Sequence, residues 1–183
     1  MKTKTLLLVL PALVGVLLLA GGCKKILSLI HFTVSDSQSF TLPSAYNFGT
    51  TAPVTLPAVT VTSTATSTYS SNNTSAKYVQ DVTLKELTLT ATSPAGQTFD
   101  IVKNVKLYIS TDATGTNKVL MASLDQVPLG ATSIQLNPTD AKLDMYLQNS
   151  SYALTSEVQF NQQPTHDVVL RVDSKFNVSA SLP

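Results

Sequence analysis

The sequence has one cysteine, no tryptophan, two histidines and charged residues at only 13% of its 183 positions. A single cysteine excludes an internal disulfide and a multi-thiolate zinc site, each of which needs a second thiol. Twelve basic against eleven acidic side chains exclude both the charge excess of a disordered tail and the footprint of an electrostatic nucleic-acid binder. With only His31 and His166 present, a hydroxyl nucleophile has few bases to activate it. Phosphate-cradling Gly-x-x-x-x-Gly-Lys, Gly-x-Ser-x-Gly and His-Glu-x-x-His patterns are absent. The lack of tryptophan removes the best platform for stacking a sugar ring and leaves Tyr46, Tyr69 and Tyr108 as substitutes. What abounds instead is hydroxyl: 20 serines and 25 threonines, a bias toward strands and turns because threonine is β-branched and serine competes for backbone hydrogen bonds.

The amino terminus carries the strongest local pattern. Lys2 and Lys4 precede an apolar run, Leu6 to Leu19, broken only by Pro11 and Gly15, which is the charged and then apolar order of a secretory signal. The 17 uncharged residues from Leu6 to Gly22 sit at the lower limit for spanning a bilayer, and Pro11 and the glycines weaken that reading further. The run ends in Leu19-Ala20-Gly21-Gly22-Cys23, which resembles the lipobox of bacterial lipoproteins. That resemblance implies cleavage after residue 22, a diacylglyceryl group on the Cys23 thiol and usually an acylated Cys23 amine. Two or three acyl chains hold a protein on a bilayer, whereas one binds marginally. Lys24, where inner-membrane retention would place Asp, makes the outer membrane the expected site, and Lys24 with Lys25 would lie at the headgroups. The expected organisation is a signal peptide over 1–22, a lipidated anchor and tether over 23–37 and a single β-sandwich domain over 38–183.

Short alternating runs separated by turn residues predict an all-β antiparallel sandwich of about seven to nine strands, similar in architecture to the immunoglobulin-like domains of envelope lipoproteins. Ile26 to Phe32 reads as a first strand or a membrane-hugging segment, and Pro43, Pro53 and Pro57 punctuate short edge strands. Apolar phase switches at Pro57-Ala58 and across Lys85-Glu86 predict bulges, or at the first a crossing between sheets. Eleven of the 16 residues from Thr60 to Ser75 are Ser or Thr, which predicts a solvent-facing strand ending in a loop near Asn73. Ser93-Pro94-Ala95-Gly96 predicts a turn closing a hairpin onto Phe99, Ile101, Val105, Leu107 and Ile109. Only Pro138 to Gln148 reads as helical, through Leu143 and Leu147. The alternations from Tyr152 to Phe160 and from Val168 to Leu182 predict one dry and one wet face, with a bend near Ser174.

Chemistry is sparse in this pattern. The acid pairs Asp140 with Asp144 and Asp100 with Asp112 are candidates for carboxylate catalysis, and Asp112 to Asn117 has the oxygen content of a calcium loop without its ligand density. Turn chemistry explains that loop, and His166 beside Asp167 reads as a solvated turn residue. The expectation is therefore a non-enzymatic envelope lipoprotein that presents a protein-interaction surface. It carries no catalytic, cofactor or metal site, it is held on the membrane through lipidated Cys23, its partner is an envelope protein, and no nucleic acid is bound. The alternative is a surface-exposed module binding carbohydrate or a host ligand.

Overall fold

The computed structural model describes residues 29–45 and 52–183; Cys23, the signal segment and Tyr46 lie outside them. Nine strands follow in chain order: β1 (Leu29–Leu42), β2 (Val54–Thr55), β3 (Val59–Thr62), β4 (Val79–Ser93), β5 (Val102–Ser110), β6 (Val119–Leu124), β7 (Ser133–Pro138), β8 (Ser151–Phe160) and β9 (Val168–Ser181). Two short helices, α1 (Ala65–Ser71) and α2 (Asp144–Leu147), interrupt them. Every pairing is antiparallel, in the order β1-β9-β4-β7-β6-β5-β8-β2, with β3 also on β8. The protein is thus the all-β antiparallel sandwich that the alternation predicts, at the upper end of the expected strand number.

The sheet curls because a continuous twisted ribbon of this width buries its apolar face only by folding back on itself. One leaf is β1-β9-β4-β7 and the other β6-β5-β8 with β2 and β3; only Ala122 opposite Pro138 and Ser123 opposite Asn137 join β6 to β7. Inward residues at period two fill the space between leaves. Val34, Leu87, Leu136 and Phe176 come from the first, and Ile109, Met121, Tyr152 and Phe160 from the second, all fully buried. Phe176 and Tyr152 meet edge to face across the gap, with ring centroids 6.0 Å apart.

Both predicted phase switches are bulges. Leu56 sits opposite Ser156 through its N–H bond, and Val59 pairs with Leu154, so Pro57 and Ala58 together oppose Thr155. The β4–β9 register shifts between Leu84 and Glu86, which lets Val82 and Leu84, then Leu87 and Leu89, all point inward despite their opposite parity. A third bulge at Lys103, where β5 shifts between Val102 and Asn104, explains why Lys103 alone breaks the apolar phase there.

Several expectations are corrected. β1 begins at Leu29, so residues 29–37, read as tether, are an integral strand paired along its whole length with β9. The Ser/Thr tract does not extend as a strand: after β3 it turns into α1, because Ala65 and Tyr69, four apart, bury one helical face. The hydroxyls of Ser67, Thr68, Ser70 and Ser71 donate to carbonyls three or four residues back, so the tract satisfies itself without a sheet neighbour. Ser93 to Gly96 does turn, with Gly96 at φ +76°, but β4 and β5 do not pair; the chain crosses between leaves. Pro138 ends β7, and the helix shrinks to Asp144–Leu147. β9 runs unbroken through Ser174, since the β4 bulge absorbs the distortion, and Leu182 lies 44% exposed beyond its end.

Candidate functional site

The residues singled out for chemistry are dispersed. His31 faces outward on β1, its Nδ1 2.9 Å from Ser179 Oγ. His166 lies in the β8–β9 loop with Nε2 2.8 Å from Gln97 Oε1 and Nδ1 3.1 Å from Thr165 Oγ1. Its neighbour Asp167 turns away to accept from the Ser44 N–H and hydroxyl, which hold that carboxyl below its ordinary range. Among the described residues no carboxylate is hydrogen-bonded to this imidazole, whose partners are Gln97 and Thr165. Asp100 accepts from Thr98 Oγ1 and the Gly130 N–H at one end of β5, while Asp112 lies past the other end. Nine strand residues separate the two by about 30 Å, too far for joint catalysis. Asp144 is the first residue of α2, where Leu143 holds the cap position without a side-chain capping bond, and one of its carboxyl oxygens is buried without a partner.

The Thr111–Lys118 loop is turn chemistry, as its composition implies. Asp112 Oδ1 accepts from the N–H and hydroxyl of Thr114 and from the Thr116 N–H, and these bonds pull its carboxyl down to about 2. A carboxyl depressed in the fold adds stability above its unfolded value and loses it as pH falls toward 2. We expect Thr114→Val to move the Asp112 carboxyl resonance titration back up toward the ordinary aspartate range; an unmoved midpoint would refute this assignment. Among the described residues no group of three or more His, Cys, Asp or Glu side chains is placed to hold a metal ion.

Of the aromatic candidates, Tyr69 is 1% exposed, so it offers no sugar platform. Its hydroxyl donates to Leu147 O, and burial, then the charges of Asp36 and Asp144, push it up to about 12. Tyr108 does point outward, but Lys118 Nζ sits 4.6 Å above its ring and its hydroxyl donates to Glu157, so that face is occupied.

The arrangement with most to offer is the seam where the two ends of the strand order meet. β1 and the β2–β3 strip are both terminal in the pairing order, and they face each other across the open side of the sandwich. Thr64 stitches them at one point: its N–H and hydroxyl donate to Asp36 Oδ1 at 2.7 and 2.9 Å, and the hydroxyl also reaches Ser35 O at 2.9 Å. Asp36 is only 4% exposed because it occupies the inward phase of β1 together with Val34, Phe40 and Leu42. Its other oxygen and the Tyr152 hydroxyl are buried without partners, and burial, then the nearby Asp36 charge, raise the Tyr152 hydroxyl well above its ordinary value.

Beyond the stitch the leaves separate. Phe40 and Leu42 from β1, Leu56 and Ala58 from the facing strip, and Leu89 and Leu107 below enclose an apolar cavity of about 200 Å³. A smaller pocket continues inward past the same Phe40, Leu42 and Leu56 to Phe160. Because Ser35 O faces the open side, alternation directs the backbone N–H and C=O of Ser37, Ser39 and Thr41 there too, where Ser39 O already accepts from Gln38 Nε2 at 3.0 Å. Sequence reading missed this seam. The available signals were a carboxylate, Asp36, in an apolar phase, and Ser174, inward between Val172 and Phe176 and paired with Asp36 across β1–β9.

The fold defines an all-β antiparallel sandwich in which, among the described residues, β1 and the β2–β3 strip do not pair with each other. No family model matches the chain, and no curated protein matches it. Among solved structures it is similar to the BFDV capsid protein in its decameric form, with a TM-score of 0.40 and 11% identity over 84% of this chain and 99% of that one. It is also similar to a nora virus structure, with a TM-score of 0.37 and 13% identity over 86% and 61% of the respective chains. For turnip yellow mosaic virus the TM-score is 0.28, with 15% identity over 85% and 84%. Likeness at this level carries no argument about activity.

Proposed function

We propose that this chain is a non-enzymatic lipoprotein of the bacterial cell envelope, held on the outer membrane through lipidated Cys23 and presenting a sheet edge to a protein partner. The observation that carries the reading is β1: a 14-residue terminal strand whose outward backbone groups from Ser37 to Thr41 face the open side of the sandwich. Natural sheets blunt such edges with proline, charge or shortness, because an open edge pairs with other chains. β1 carries no proline, and its inward and outward positions near the opening are neutral apart from Asp36. The facing strip is blunted, with Pro53 and Pro57 flanking a strand of two residues.

Placement follows from reach. Five residues lie between Cys23 and Leu29, so the base of β1 would stand within about 20 Å of the bilayer. The alternative, a glycan-binding module, loses support from the buried Tyr69 and the covered ring of Tyr108. Intact mass of the protein extracted from native membranes is expected to show diacylglyceryl and acyl additions at Cys23. Cys23→Ser is expected to shift nearly all of the protein out of the membrane fraction. A bare thiol on the native form would overturn the reading.

A further inference from the structure

We infer that the end of the sandwich from which β1 starts rests on the bilayer itself, with Leu29, Leu182, Lys77 and Tyr78 in contact with anionic headgroups and the outer acyl region. This rests on the reading of the chain as a lipoprotein, and it names the protein surface that the lipid covers. Among the described residues four large apolar side chains are exposed: Leu29, Leu129, Met145 and Leu182. A lone exposed leucine is ordinary. Leu29 and Leu182, 41% and 44% exposed, are not alone, because Leu29 pairs with Ser181, the residue before Leu182. On the other side of β9, Val79 pairs with Ala180 and Thr74 Oγ1 donates to Ser181 O, which brings the 3₁₀ turn Ala76–Tyr78 to the same rim. There Lys77 is exposed, and its Nζ stands 4.7 Å above the half-buried ring of Tyr78.

This combination suits a boundary between water and hydrocarbon. Leucine enters the acyl edge, tyrosine keeps its hydroxyl among the headgroups, and lysine lays its stem on apolar surface while its charge meets phosphate. Asp81, two residues into β4, is paired with Lys142 at 2.5 Å, so it does not cancel Lys77. In the sequence Lys24 and Lys25 add positive charge between Cys23 and the rim. The five residues between Cys23 and Leu29 span at most about 20 Å, so a lipidated Cys23 keeps the rim within reach of the headgroups. Leu129 belongs to the other end. Thr132 O accepts from the Ala91 N–H near the finish of β4, where Ser93 pairs with Val169 and Leu42 of β1 with Val168. The 14 residues of β1 separate the two ends by about 45 Å.

The sequence has no tryptophan, so one introduced indole reports its own surroundings. Leu182→Trp, with Leu129→Trp as the control at the far end, is made in the full-length chain, purified from native membranes and reconstituted in vesicles of phosphatidylethanolamine and phosphatidylglycerol. Both sites are exposed, so the melting temperature is expected to stay that of the parent. With lipids brominated in their acyl chains, Leu182→Trp is expected to shift to the blue and lose roughly half its emission, and Leu129→Trp to lose roughly a tenth or less. Adding Lys77→Glu to Leu182→Trp is expected to reduce the quenching. Equal quenching of the two indoles, or none at Leu182→Trp, overturns the inference. So does a blue shift that appears without vesicles and grows with protein concentration, which would assign the rim to a second copy. Intact mass separates the two claims. Lipid on Cys23 with an unquenched Leu182→Trp leaves the lipoprotein reading standing and rejects this contact, whereas a bare thiol with a quenched Leu182→Trp keeps the contact and rejects the anchor.

Discussion

Phe176→Ala is expected to lower the free energy of unfolding by about 3–5 kcal/mol, the range for truncating a fully buried aromatic ring. Phe176 has no exposed surface and lies in the middle of the first leaf, paired with Val34 on one side and Leu84 on the other. Its ring also meets Tyr152 edge to face, so it is one of the contacts that hold the two leaves together. Truncation removes the apolar burial and leaves a void that neighbouring strands, fixed by their ladders, fill only in part. Denaturant titration should show a lower midpoint with an unchanged slope, since the surface exposed on unfolding hardly alters. Leu129→Ala, at a side chain 85% exposed in the β6–β7 loop, serves as the control and should fall within about 0.5 kcal/mol of the parent. A Phe176→Ala loss below about 1 kcal/mol would mean that the leaves are not packed through this ring.

Asp36→Ala is the second large expected effect, a loss of about 2–3 kcal/mol, because hydrogen bonds to a carboxylate are worth about 1.5–3 kcal/mol and two part-buried ones from Thr64 are lost together. Both Thr64 donors end on Asp36 Oδ1, and they are the stitch between β1 and the start of α1. Thr64→Val removes the hydroxyl but keeps the N–H, so it should cost less than Asp36→Ala. The double variant should cost less than the sum, with a coupling of about 1 kcal/mol or more. Asp36→Asn should be milder than Asp36→Ala, because its amide oxygen still accepts from Thr64. Strict additivity in the cycle would refute the stitch. The same variants bear on the seam: releasing the stitch should free the Thr64 amide, so its protection against hydrogen exchange should fall first.

How legible this was differs by element. The bulges at Pro57-Ala58 and Lys85 were readable because two apolar runs of opposite parity cannot share one face without an extra residue. The helix α1 was not, because eleven hydroxyl residues in the tract mask its two anchors, Ala65 and Tyr69. The β4–β5 turn was legible as a turn and illegible as a crossing, since a Pro-x-Gly sequence sets local direction and says nothing about which leaf receives the next strand. The lipobox-like residues at Cys23 were read from short-range order alone, and they stand outside the described fold.

The sequence by itself determined the strand content, the inward and outward faces and most turn positions, because period-two patterning and turn chemistry act within a few residues of chain. Only the tertiary structure decided that β1 and β2–β3 end the pairing order on the same side. It also decided that Asp36 meets Thr64, 28 residues away, and that the lips then part over an apolar cavity. Such features depend on how a twisted sheet curls through contacts between distant residues, and no local pattern encodes where its two margins meet.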